Sequence, residues 1–197
     1  MKTEDKSQQA LDTPRLGDAD KAKLLRIARE TLTAYITGGA TPEYAVDEPG
    51  LMQEVAAFVT LRRRDGELRG CIGRVEVSEP LYHTVQECAI SAAVNDFRFP
   101  PVTAPELDDL LIEISALSPF RLINSPEEIV VGRHGLMIRK GFHVGLLLPQ
   151  VASDRNWSRG QFLEAICMKA GLPANGWRGA DLYVFSAEVF EEEDKQK

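Results

Sequence analysis

Cysteine is scarce, with three in 197 residues and no C-x-x-C pair, which excludes a disulfide framework and a four-thiolate zinc site. The odd count fits free thiols in a reducing compartment, so a cytoplasmic location is expected. The three histidines, His83, His134 and His143, have no metal-ligand spacing among themselves, and no metal or cofactor is expected. Long apolar runs are lacking too. No stretch approaches the roughly 18 residues of a membrane span, and Met1 to Arg15 has no apolar signal-like region. Positive charge is in deficit: 23 Lys plus Arg face 30 Asp plus Glu, a formal net charge of -7 that disfavours coating nucleic acid or an anionic membrane. Phosphate-loop, dinucleotide and Gly-x-Ser-x-Gly patterns are missing.

What remains is an apolar fraction of 44%, enough for one sizeable core. Residues 1–17 lack periodicity and read as a flexible tail, and the acidic 191–197 as a frayed end. Between them, 18–190 reads as one domain with two sub-lobes. A helix is expected over 19–37, carrying Leu24, Leu25, Ala28, Leu32, Tyr35 and Ile36 on one face before Gly38 and Gly39. Strand formers on both sides of Asp65-Gly66 predict a hairpin of 56–64 with 67–76. Leu81, Val85, Cys88, Ala89 and Ala92 form the stripe of a helix running to about Val94. Capping-box spacings open short helices at Thr103, Ser125 and Ser158, the last running over 159–170. Further strands are expected at 110–117, 135–140, 143–148 and 181–190. The lack of a βαβ rhythm favours an α+β fold with mainly antiparallel sheet and flanking helices.

The segment Leu68-Arg69-Gly70-Cys71-Ile72-Gly73 is the informative one. Strand alternation puts Arg69 and Cys71 on one face. If the hairpin turn is the two-residue Asp65-Gly66 type, Arg62 lies opposite Arg69, Thr60 opposite Cys71 and Phe58 opposite Gly73. Two facing arginines repel, and Glu67, Glu76 or a bound anion would relieve them. Gly70 and Gly73 would leave room for close approach of backbone or ligand, and nearby cations would favour the thiolate of Cys71. A packed strand cysteine is the competing reading. Cys88 and Cys167 read as core residues. His83 and Glu87, spaced i, i+4, read as a surface pair, and His134 as a turn residue able to act as a base. Asp96 and Arg98 either lock the turn before Pro100-Pro101 or present a charged pair to a ligand. Trp157 and Trp177, near Arg155, Arg159 and Arg178, read as packing residues, which makes a nucleic-acid role the weakest reading.

LRGCIG at 68–73 resembles the signature of the AMMECR domain family, whose prokaryotic members are called AmmeMemoRadiSam-system protein A. The resemblance continues in order through DFRFPP at 96–101, the strand 110–117, GRHGL at 132–136, LLPQVA at 147–152, Trp157 and KAGLP at 169–173. Phe97 departs from it, since relatives often carry Pro or Ser there. The resemblance implies a two-lobed α+β fold with a smaller second lobe and the signature near a groove between lobes. It implies no established activity. It also implies association with a Memo-like protein and a radical S-adenosylmethionine protein, although three scattered cysteines cannot hold a four-iron cluster in this chain.

Two functions are therefore expected to compete. One is a recognition or accessory protein that binds an anionic small molecule, peptide or modified residue at Arg62, Arg69, Gly70, Gly73 and Arg98, beside Cys71. The other is a thiol enzyme with Cys71 as nucleophile and His134 or Asp96 moving the proton.

Overall fold

The computed structural model describes residues 16–76 and 78–194. They divide into two compact units, one within Ser118–Ala187 and the other within Pro14–Leu117 and Glu188–Lys197. Of the expected tail, residues 1–15 lie outside the described residues, as do 195–197 of the expected frayed end. Leu16, however, is buried in the core of the longer unit. Residues 191–194, expected to fray, are tied: the Glu192 carboxylate pairs with Arg29, and that of Asp194 with Arg64.

In the longer unit, helix α1 (Asp18–Ile36) starts where the Asp20 carboxylate accepts the Gly17 N–H at 3.0 Å. Leu24, Ile27, Ala28, Thr31 and Leu32 form its inner face, so the stripe is turned relative to the expected one and Tyr35 is left exposed. Strands β1 (Ala57–Arg63), β2 (Leu68–Arg74) and β3 (Leu110–Leu117) form a sheet in the order β2-β1-β3, closed at its far side by β8 (Ala187–Glu191). Helix α2 (Leu81–Val94) packs its expected stripe, Cys88 included, into this unit's core. The Thr103 capping box opens a 3-10 turn over Ala104–Asp109.

The hairpin register departs from expectation near its turn. The Arg63 N–H donates to the Glu67 carbonyl at 2.8 Å, so the loop has three residues, 64–66, with Gly66 at a φ of 91°. Arg62 therefore faces Leu68, and a bulge between Leu61 and Arg62 restores the pairs Leu61 with Gly70, Thr60 with Cys71 and Phe58 with Gly73. Arg69 is the extra residue of that bulge and faces no arginine.

The shorter unit holds β4 (Arg121–Ile123), β5 (Gly135–Lys140), β6 (His143–Leu147) and β7 (Asp181–Phe185), in the order β4-β7-β5-β6. The strand expected over 181–190 is interrupted at Ser186, and its halves join different sheets. Ser186 and Ser118 exchange hydrogen bonds, with Ser118 N–H to the Ser186 carbonyl at 2.9 Å and Ser186 N–H to Ser118 Oγ at 3.0 Å. Helix α4 (Arg159–Lys169) carries the expected Ser158 cap and packs Phe162, Leu163, Ile166 and Cys167 into a second core. Two elements were not expected: β4, only three residues long, and α3 (Pro149–Asp154), a short helix entered through a proline. The pairings of β1 with β2 and β3, of β4 with β7, and of β5 with β6 and β7 are antiparallel, and helices flank the sheets, an α+β fold. No helix among the described residues is long and apolar enough to cross a membrane.

Candidate functional site

The LRGCIG strand and the DFRFPP turn meet at one carboxylate. Asp96, which follows α2 and is 5% exposed, accepts the Cys71 N–H at 2.8 Å through Oδ2. Arg98 closes on the same carboxylate in a fork, with Nε 2.9 Å from Oδ1 and Nη2 2.6 Å from Oδ2. Arg98 above all, helped by the N–H groups of Cys71 and Arg98, holds the Asp96 carboxyl well below the usual carboxylate range. The turn is thus locked onto the outer edge of β2, which is the edge strand of its sheet. A carboxylate held this firmly ionised is a poor proton acceptor near neutral pH.

Cys71 is half-buried, and its Sγ accepts a hydrogen bond from Thr60 Oγ1 at 3.3 Å. Asp96 above all raises the pKa of Arg98 and so holds it charged. Arg69 turns elsewhere. It is 4% exposed, with Nε 2.8 Å from Glu106 Oε1 and Nη2 3.2 Å from Glu106 Oε2. Arg62 pairs with Glu113 at 3.7 Å. Both arginines are thus neutralised from β3 or the turn before it, and among the described residues neither Glu67 nor Glu76 pairs with them.

The space expected beside the two glycines is already filled. A Cβ on Gly70 would lie 2.0 Å from the Ala92 carbonyl oxygen, so this glycine lets α2 approach the strand. A Cβ on Gly73 would lie 2.2 Å from the Phe58 ring, which covers it from β1. Open space occurs one step away. Arg63, Glu67, Leu68, Arg69, Phe99–Pro101, Thr103 and Glu106 line a hollow of about 360 Å³ between the hairpin end and the DFRFPP turn. Cys71 does not line it. Arg69 Nη1 reaches no hydrogen-bond partner, although it is fully buried.

His134 belongs to the shorter unit, is 6% exposed, and accepts the Val130 N–H at 3.2 Å through Nδ1. Burial, more than the neighbouring arginines, lowers its pKa. No described histidine hydrogen-bonds to Cys71. His83 is exposed, and Glu87 pairs with Arg74 instead of with it. Trp157 and Trp177 pack against the second core beneath Arg155 and Arg178, whose guanidinium carbons lie 5.1 and 5.2 Å from the ring centroids. Among the described residues no three of His, Cys, Asp and Glu gather as a metal site would need.

The AMMECR1 family model matches residues 25–190. The chain belongs to the AMMECR1 family. Protein MK0488 of Methanopyrus kandleri is 42% identical over 183 residues, covering 88% of each chain. A protein of Thermococcus onnurineus is 46% identical over 182 residues, covering 86% of this chain and 89% of its own. The crystal structure of uncharacterized protein PH0010 from Pyrococcus horikoshii superposes with a TM-score of 0.81 at 42% identity, over 87% of this chain and 90% of that one. The LRGCIG and DFRFPP segments both fall within the AMMECR1 match.

Glu106, Glu113 and Phe99 were missed from the sequence as site residues. Glu106 was visible only as the end of the Thr103 capping box, and its role toward Arg69, 37 residues earlier, has no local signal. Glu113 stands opposite Thr60 on β3, a pairing that needed the sheet order.

Proposed function

We propose that this AMMECR1 protein is a cytoplasmic recognition or accessory protein that holds an anionic small molecule, peptide or modified residue in the hollow between LRGCIG and DFRFPP. One observation carries the reading: Arg69, 4% exposed, lines that hollow, and its buried Nη1 has no hydrogen-bond partner. A buried donor without a partner costs free energy that an incoming acceptor would recover. Arg63 stands in the same wall, and Phe99, Pro100 and Pro101 supply an apolar surface for the rest of a ligand. Arg63 and Arg69 balance Glu67 and Glu106 in formal charge, so selectivity would come from aimed donors more than from net attraction. Cooperation with a Memo-like protein and a radical S-adenosylmethionine protein rests on the family resemblance alone.

The nucleophile reading finds no favouring contact, since Asp96 is held ionised by Arg98 and the Cys71 thiol meets a hydroxyl instead of a base. Titration with acetate, inorganic phosphate and N-acetylaspartate, followed by NMR at the arginine Nε–H resonances, tests the proposal. The Arg69 signal should move saturably with at least one of these anions, and any accompanying shift at Phe99, which lines the same hollow, should be lost in Arg69→Lys. Anion-induced shifts confined to other arginines would overturn it.

A further inference from the structure

A second hollow lies apart from LRGCIG, in the same unit. It measures about 500 Å³ and opens between the loop 41–44 and the outer side of α2. Its lining residues include Tyr44, Tyr82, His83, Glu43, Gln86 and Glu87, and no lysine or arginine.

Gln86 is 7% exposed, and its Nε2 donates both protons, to Thr31 Oγ1 at 3.1 Å and the Pro42 carbonyl at 3.0 Å. The Pro42 oxygen can only accept, which fixes the orientation of the amide. Gln86 Oε1 is then a held acceptor that takes no hydrogen bond among the described residues. Glu43 is exposed and has no ion pair among the described residues, whereas Glu87 pairs with Arg74. The Tyr44 hydroxyl donates to Glu30 at 2.7 Å, and burial followed by that carboxylate pushes its pKa up to about 12. A phenol donating to a carboxylate has a more electron-rich ring. Tyr82 and His83 lie with centroids 4.5 Å apart, giving a second aromatic wall.

An unpartnered amide oxygen, an unpaired carboxylate and π faces define one ligand chemistry. We infer that the hollow between loop 41–44 and α2 is a binding site for an organic cation, an alkylammonium or guanidinium group, held by Gln86 Oε1 and Glu43 against the Tyr44 and Tyr82 rings. The group could belong to a free amine or to a lysine or arginine side chain. The net charge of -7 favours the approach of either.

The test uses the full chain and NMR titration with propylammonium, propylguanidinium and, as neutral control, propanol. Either cation should shift the Gln86 side-chain amide and the Ile90 methyl saturably, and propanol should not. Glu43→Gln should weaken binding about tenfold and Glu43→Lys should abolish it. Position 43 is exposed, so both variants should keep the wild-type spectrum elsewhere. A hexapeptide with one lysine, compared with its acetylated form, separates the sources: tighter binding than propylammonium assigns a peptide ligand, weaker binding a free amine. Equal shifts with propanol, no saturable shift by either cation, or unchanged affinity in Glu43→Lys would overturn the inference.

Discussion

Arg69 is a nearly enclosed guanidinium whose charge is met by a single carboxylate, so Glu106 has effects at a distance from its own turn. Arg69 first, with help from the N–H and hydroxyl of Thr103, pulls the Glu106 pKa from 4.5 to about 2. A carboxyl depressed on folding stabilises the native state fully above its unfolded value and progressively less as the pH falls through the folded one. The contribution, at most about 3 kcal/mol, is therefore present at neutral pH and lost between pH 4.5 and about 2. Glu106→Gln should cost about 2–3 kcal/mol at neutral pH, because the amide keeps one acceptor for Arg69 but removes the charge. Its urea-unfolding free energy should also fall less than the wild type's across that acid window, and parallel curves would contradict this pairing. The two strand glycines offer a second comparison. Gly70→Ala drives a methyl into a backbone carbonyl and should cost about 1–3 kcal/mol or more, whereas Gly73→Ala meets a side-chain ring that can swing aside. Thermal unfolding should rank them in that order.

The hairpin turn sets the register of the whole signature strand. A three-residue loop shifts the pairing by one position and the bulge at Arg69 shifts it back, so the pairs of Thr60 with Cys71 and Phe58 with Gly73 were legible in the sequence while that of Arg62 with Arg69 was not. Asp-Gly signals a turn, but loops of two and three residues both use it. Periodicity placed α2, α4 and β3 because each carries a long apolar stripe or run. It missed β4, a strand of three residues, which is too short to show a period. The site was legible in part: the two motifs marked its place, but the carboxylates that neutralise its arginines come from β3 and the turn before it, 37 and 51 residues away from their partners. Gly66, at a φ of 91°, keeps the longer loop. Gly66→Ala should cost about 1–2 kcal/mol in chemical denaturation and Gly66→Asn clearly less, because asparagine tolerates the left-handed region. Equal losses would mean that the loop relaxes to another turn.

At the scale of the molecule, thiol chemistry reports on both cores at once. Burial pushes the Cys88 thiol up to about 11 and raises that of Cys167, while Cys71 alone is not buried. A disulfide reagent should therefore titrate one thiol quickly in the native protein and all three in denaturant, and Cys71→Ser should remove the fast one. Rapid reaction of three native thiols would mean that a core opens readily. Strand β8 bears on how the chain is made. It is built from Ala187–Glu191, yet it borders β3, completed some seventy residues earlier. During synthesis on the ribosome, the apolar β3 must wait with an unpaired edge until the roughly seventy residues that separate it from β8 have been made. A nascent chain stalled before residue 187 should then recruit holdase chaperones that a chain including β8 no longer needs.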